Sequence, residues 1–277
     1  MSTKNNQLEK LDGIAETLLV PLYCRAIETQ SKDPIIKDPK AVEIFEELQI
    51  KVPFQRKQLL VMIAVRTKVF DDCVRSFLDK APNGIIVNIG CGLDTRFTRL
   101  DNGICEWYDL DFPEVITIRK RFFQETARYH FIPSSVLDFN WIHELAQTNK
   151  NRTFLFLAEG VFMYLHEEEV KALVLKLQNT FRGCEIAFEA CNEFGVKALK
   201  NRYWRRRFQK RFQFGRETTF NWGLRNGDEL ESWNPGIKLL NEWFYLMTKE
   251  KKWGLYRILF KIPQLGKMMW ILHYTLA

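Results

Sequence analysis

Gly90 and Gly92 close the apolar run Ile85-Ile86-Val87-Asn88-Ile89, and a carboxylate, Asp111, follows behind Trp107-Tyr108-Asp109-Leu110. A β-branched run that breaks into Gly-x-Gly reads as a buried parallel strand turning sharply, because glycine lets the backbone turn there and approach a ligand closely. Asp111 comes at an offset of about 20 residues, where a second strand presents a carboxylate to ribose hydroxyls. Residues of these types at this spacing could hold a nucleoside.

The position of a third glycine decides which nucleoside. A dinucleotide site needs Gly-x-Gly-x-x-Gly, since the pyrophosphate rests on the helix N-terminus and the helix packs tightly on the strand. Here that place holds Thr95, which disfavours a nicotinamide-dependent oxidoreductase. S-adenosylmethionine is the common adenosine cofactor that makes no phosphate demand. On this reading the Gly90 and Gly92 amides meet the methionine portion; the plain alternative is an ordinary strand-to-helix turn. Asp111 accepts from both ribose hydroxyls, with a helix cap before Pro113 as its plain alternative and Asp109 as a rival acceptor. Glu159 ends the apolar strand Phe154-Leu155-Phe156-Leu157-Ala158. That puts it at the C-terminal sheet edge, where open α/β sheets bind ligands and a carboxylate could hold an ammonium group.

Gly90-Cys91-Gly92-Leu93-Asp94-Thr95-Arg96, with Arg99-Leu100 beyond, resembles the Gly-x-Gly-x-Asp-Thr motif of the leucine carboxyl methyltransferase family, which also contains bacterial O-methyltransferases of the polyketide type. Asp111-Phe112-Pro113 is similar to the acidic residue and proline that follow in that family. Glu159-Gly160-Val161-Phe162-Met163-Tyr164-Leu165 is similar to its Glu-Gly-x-x-x-Tyr-Leu block. The resemblance runs from about Leu18 to Trp243. It implies a class I S-adenosylmethionine-dependent O-methyltransferase and points to Asp111, not Asp109, for the ribose. It further implies that Arg66 forks onto the cofactor carboxylate, that Asp138 and Phe139 contact the adenine, and that the N-terminal helices help close the pocket. Tyr164, Tyr23 and Arg25 are candidates for the substrate side; each could equally be a packing residue.

The elements that must position these residues follow from periodicity. A helix is expected from Leu8 to Thr29, interrupted at Pro21, a second over Lys40 to Leu48 and a third over Arg56 to Leu78. Then strands at Ile85 to Ile89, Glu106 to Leu110, His130 to Pro133, Thr153 to Ala158 and Glu185 to Phe188 alternate with helices from Thr95, over Pro113 to Arg128, around Trp141 to Ala146 and over Glu167 to Asn179. A helix near Asp228 to Trp233, a strand near Lys238 to Leu240 and the apolar segment Met269 to Leu276 complete the chain. The expected fold class is α/β: a Rossmann-like, mostly parallel seven-stranded sheet with helices on both faces, an N-terminal helical cap and an inserted basic segment after strand 5. It is read as one domain over 1–277, with a cap at 1–80, a cofactor-binding core at 81–190, an insertion at 191–225 and completion of the sheet at 226–277.

At 277 residues and 46% hydrophobic content the chain can bury a large core. It has no apolar run of about 18 residues and a polar start without a signal-like h-region, so a cytoplasmic enzyme without a membrane span is expected. Its six cysteines form no Cys-x-x-Cys pair, so reduced structural thiols and no metal site are expected. Eight basic residues and no acid lie between Lys200 and Arg216, one more than the net charge of +7, so the basicity is local. Tyr203-Trp204-Arg205-Arg206-Arg207-Phe208 interleaves cations with aromatics, which suits phosphate contact and base stacking in a nucleic-acid or tRNA-modifying protein. It equally suits a solvated amphipathic helix, which is the preferred reading. Of the histidines His130, His143, His166 and His273, only His166 follows a sheet-edge motif. With no convincing base in the motifs, the expected acceptor is a carboxylate of a small molecule or peptide, with hydroxyl methylation of a polyketide-like metabolite as the alternative.

Overall fold

The apolar runs pair into one seven-stranded sheet in the computed structural model, which describes residues 14–49, 57–149, 151–201 and 220–277. The strands are β1 (Ile85–Ile89), β2 (Glu106–Asp111), β3 (Tyr129–Pro133), β4 (Phe154–Ala158), β5 (Cys184–Cys191), β6 (Ile237–Trp243) and β7 (Met269–Leu276). Their order is β3-β2-β1-β4-β5-β7-β6. Strands β1 to β5 pair in parallel, while β7 runs antiparallel to both β5 and β6. Every residue of β1 and β4 is buried, as a parallel strand covered on both faces requires.

Alternation along each strand divides the core in two. Ile86, Trp107, Leu155 and Leu157 join the cluster beneath helices α1 (Ile14–Thr29), α2 (Pro39–Leu48) and α3 (Lys57–Lys80). Ile85, Val87, Phe154 and Phe156 join the cluster beneath α6 (Asn140–Thr148) and α7 (Glu167–Thr180). Each such side chain fully buried contributes roughly 1.5–3 kcal/mol. Between β1 and β4 the strand order reverses direction, and crevices outside the strand ends at such a reversal are where open α/β sheets take ligands.

The structure corrects several boundaries. Helix α1 runs through Pro21 without a break. Leu22, Cys24 and Ala26 just beyond it are buried, and packing of those turns outweighs one missing backbone bond. Helix α5 (Pro113–Arg119) stops well short of Arg128, because Arg119 is drawn inward onto Asp109, the Tyr129 hydroxyl and the Gly92 carbonyl. The helix expected near Asp228 is a single 3₁₀ turn, Glu229–Ser232. Strand β5 extends to Cys191, and the start of the expected insertion is helix α8 (Glu193–Lys200). Leu8 to Gly13, Arg56 and the basic run from Arg202 to Arg216 lie outside the described residues. The chain re-enters at Phe220, and Leu224 donates to the Cys191 carbonyl, so the excursion leaves and returns at the end of β5.

Candidate functional site

Glycine geometry shapes the turn after β1. Gly90 and Gly92 have φ of 64° and 50°, in the left-handed region that glycine enters without penalty. A Cβ on Gly90 would come within 2.4 Å of Val161 Cγ2, so the loop from β4 lies directly on the bare backbone. In the unliganded turn, Gly90 and Cys91 donate to the Leu110 carbonyl, and Gly92 donates to Asp111 Oδ2 at 2.8 Å. These amides brace the turn against β2.

Asp111, at the end of β2, does not cap α5. Its oxygens accept from Gly92 N and Phe112 N, both at 2.8 Å, and burial pushes its carboxyl up despite those two amides. Asp109, two residues earlier on the same face of β2, is fully buried. It takes the Arg119 guanidinium, the Tyr129 hydroxyl at 2.5 Å, the Trp107 indole at 3.0 Å and the Asn88 amide at 3.3 Å. Saturated in this way, Asp109 is a structural ion pair. Phe112, beside Asp111, leaves its ring 52% exposed.

At the strand reversal, Glu159 leaves β4 next to the Gly90 turn, since Ala158 is paired with Ile89. Its two oxygens accept from Arg66 Nε at 2.8 Å and Arg96 Nη2 at 2.6 Å. Arg66, on α3, also donates from Nη1 to Glu189 Oε2 at 2.8 Å. No hydrogen bond from its Nη2 is found among the described residues. Glu189, fully buried in β5, takes the Tyr245 hydroxyl at 2.6 Å on its other oxygen; burial pushes its carboxyl up and Arg66 partly reverses this. Arg96 continues to Asp71 Oδ1 at 2.7 Å and to Asp94. Burial pushes the Asp94 carboxyl up, but the guanidiniums of Arg96, Arg25 and Arg99 more than reverse it and hold it well below the usual range. Arg99 bridges Asp71 and Asp38, and Arg25 joins Asp38 at 2.9 Å and the Leu93 carbonyl at 2.8 Å. Four guanidiniums and five carboxylates thus run from the cap helices to the end of β4.

This network sorts the expected residues. Arg66, Gly90, Gly92, Asp111 and Glu159 meet along one sheet edge. Asp138 is exposed and accepts from the Asn140 amide at 3.2 Å, and Phe139 is half-buried against the α6 and α7 side of the core. Arg25 fastens α1 to the glycine turn and is 3% exposed. Tyr23 is buried against Phe45. Tyr164 stacks edge-on to Phe220, and burial raises its hydroxyl well above the ordinary value. His166 is exposed at the opening of α7, where its backbone amide donates to Glu169. Glu189, Tyr245, Asp71 and Arg96 were not read as site residues. A glutamate inside the apolar run Ile186-Ala187-Phe188-Glu189-Ala190 was the available signal, because a charge buried there needs a partner.

The family model described as leucine carboxyl methyltransferase matches residues 19–178, more than half of the 277. A tetracenomycin polyketide synthesis O-methyltransferase from Streptomyces glaucescens is 29% identical over 243 residues, covering 86% of this chain and 85% of its own length. An S-adenosyl-L-methionine-dependent methyltransferase from Gibberella zeae is 28% identical over 269 residues, covering 88% of this chain and 87% of its own. The fold is similar to that of magnesium protoporphyrin IX methyltransferase from Synechocystis PCC 6803, solved with S-adenosylhomocysteine, at a TM-score of 0.50 and 12% identity over 86% of this chain and 93% of that one.

Proposed function

We propose that this chain, which belongs to the leucine carboxyl methyltransferase family, methylates the carboxylate oxygen of a small molecule to give a methyl ester. It is an S-adenosylmethionine-dependent methyltransferase. When bound, that cofactor supplies an electrophilic methyl group on a sulfonium, which passes to a nucleophile by in-line displacement.

The residues at the strand reversal fit the cofactor's charges. Each Asp111 oxygen already takes one amide and keeps a lone pair, enough to accept from two ribose hydroxyls. Arg66 has Nε and Nη1 committed, so Nη2 is the donor left for the cofactor carboxylate, a single bond in place of a fork. Glu159 keeps a lone pair on each oxygen for the ammonium group while two arginines fix its position. The five carboxylates exceed the four guanidiniums by one, which suits a cofactor carrying two positive charges and one negative. A side chain on Gly90 would obstruct the closest backbone approach.

The observation that carries the choice of acceptor is the want of a general base among the described residues at this edge. His273 is held by Glu185 at 2.7 Å, His130 stacks on Tyr108 and His143 is exposed on α6. Burial pushes the Tyr23 and Tyr164 hydroxyls up and so holds them protonated at neutral pH, where neither serves as a base. A carboxylate, with a reference pKa of about 4, is already anionic at pH 7, whereas a phenol near 10 must lose a proton to a positioned base. For a carboxylate the enzyme need supply only alignment and exclusion of water. The relative from Streptomyces glaucescens, named an O-methyltransferase, supports oxygen as the acceptor atom. The test is product stability. Radiolabelled product from a panel of aromatic acids should release methanol in mild alkali; an alkali-stable product whose formation is lost in His166→Ala would establish hydroxyl methylation.

A further inference from the structure

The connection from β6 to β7, residues 244–268, is apolar on two faces over 247–268. Inward, Trp253 and Phe260 pack edge-to-face at 5.0 Å and Tyr256 packs on Phe260. Lys252 pins the segment to α1 through Glu28 Oε1 at 2.5 Å and to the turn after it through Ser31 Oγ at 2.9 Å. Outward, Leu255, Ile258, Leu259, Ile262 and Leu265 are exposed by 40–82%, on and between two four-residue helical turns, Tyr256–Leu259 and Pro263–Gly266. Of the ten exposed large apolar side chains among the described residues, six fall between Met247 and Leu265. The exposure is therefore concentrated, and concentrated exposure on an anchored backbone marks an interaction surface.

Charge indicates what that surface meets. Lys249, Lys251, Arg257, Lys261 and Lys267 are exposed in the same stretch, and Glu250 is its single acid. Exposed apolar residues flanked by cations fit a bilayer surface bearing anionic headgroups, where the apolar side chains enter the acyl boundary and the cations meet phosphate or carboxylate. A second copy fits poorly, because an isologous pairing of this face would set its cations against themselves.

We propose that residues 247–267 are a docking surface for an anionic membrane, which the chain binds without spanning. No described helix is long and apolar enough to cross a bilayer. The surface joins the edge already described: β7 begins opposite Cys191 at the C-terminal end of β5, and Tyr245 reaches Glu189 from the same connection. Docking through this connection would hold the cofactor edge close to the lipid, within reach of acceptors that partition into membranes. The docking holds whether or not the acceptor is a carboxylate.

The experiment is co-sedimentation of the full-length chain, without cofactor, with phosphatidylcholine vesicles that do or do not contain phosphatidylserine. Partition should require phosphatidylserine and fall as salt rises. The variant Leu255→Ser/Ile258→Ser/Ile262→Ser should lose roughly tenfold or more in partition, and Arg257→Glu/Lys261→Glu should lose a comparable amount, both with unchanged S-adenosylhomocysteine affinity as evidence of folding. Failure of the wild-type chain to bind these vesicles would overturn the proposal, as would undiminished partition of the serine variant. Self-association that the serine variant abolishes, without vesicle binding, would assign the face to a second copy instead.

Discussion

Gly90→Ala isolates the contact on which the site's geometry turns. At φ 64° the backbone sits where any Cβ costs roughly 1–2 kcal/mol. The added methyl would also lie 2.4 Å from Val161 Cγ2, and overpacking of that kind costs about 1–3 kcal/mol. The sum is a loss of about 2–5 kcal/mol. Gly92→Ala shares the first contribution, at φ 50°, but its Cβ meets only the tip of Leu18 at 2.9 Å, which can move aside. It should therefore lose only about 1–2 kcal/mol. Val161→Ala removes the atom in conflict, so the double variant Gly90→Ala/Val161→Ala should be more stable than the two single losses added together by at least about 1 kcal/mol. Urea unfolding of the four variants and the parent measures all of these. Strict additivity in the cycle, or a Gly92→Ala loss equal to that of Gly90→Ala, would refute the close approach of the β4 loop to the turn.

Two further outcomes separate the neighbouring aspartates. Asp109→Asn leaves the Arg119 guanidinium buried beside a neutral group and should cost about 3–5 kcal/mol of stability, whereas Asp111→Asn should unfold within about 1 kcal/mol of the parent; equal losses in urea would contradict the division of roles. Cofactor affinity should fall as pH falls through the Asp111 pKa, which burial places above the ordinary aspartate value of about 3.9. The sign follows from the acceptor: both oxygens accept strongly from hydroxyls when the carboxylate is ionised, and protonation turns one into a donor, so affinity is full above that pKa and weakened below it. Calorimetry across mildly acidic pH should show this arm in the parent and not in Asp111→Asn, and an identical arm in both would remove Asp111 as its source.

The fold was legible because its signals are local. Buried parallel strands such as Phe154–Ala158 are continuous apolar runs, and Gly90, Thr95 and Asp111 carry their meaning through spacing along the chain. Segments decided by distant contacts were not legible in that way. Helix α5 ends where Arg119 finds Asp109 and Tyr129, partners that no periodicity reveals. Helix α1 passes through Pro21 because tertiary packing outweighs propensity. At the strand ends, the residues singled out by spacing are gathered in the fold, while the ion network that holds them leaves no such signal in the sequence. Arg66 and Glu189 are 123 positions apart in sequence, and a buried arginine reads as a solvated one until its carboxylates are seen. The amides of Gly90 and Gly92 show the same limit: spacing identified the turn, but only the structure gives their acceptors, Leu110 and Asp111.

The central claim is that the cofactor binds at the reversal of strand order with its ribose on Asp111. Titration calorimetry of S-adenosylhomocysteine against the parent and Asp111→Ala tests it directly. Loss of hydrogen bonds to a charged acceptor should weaken binding by about 1.5–3 kcal/mol, roughly tenfold to a hundredfold or more. Unchanged affinity in a variant that unfolds at the parent's urea midpoint would contradict the claim.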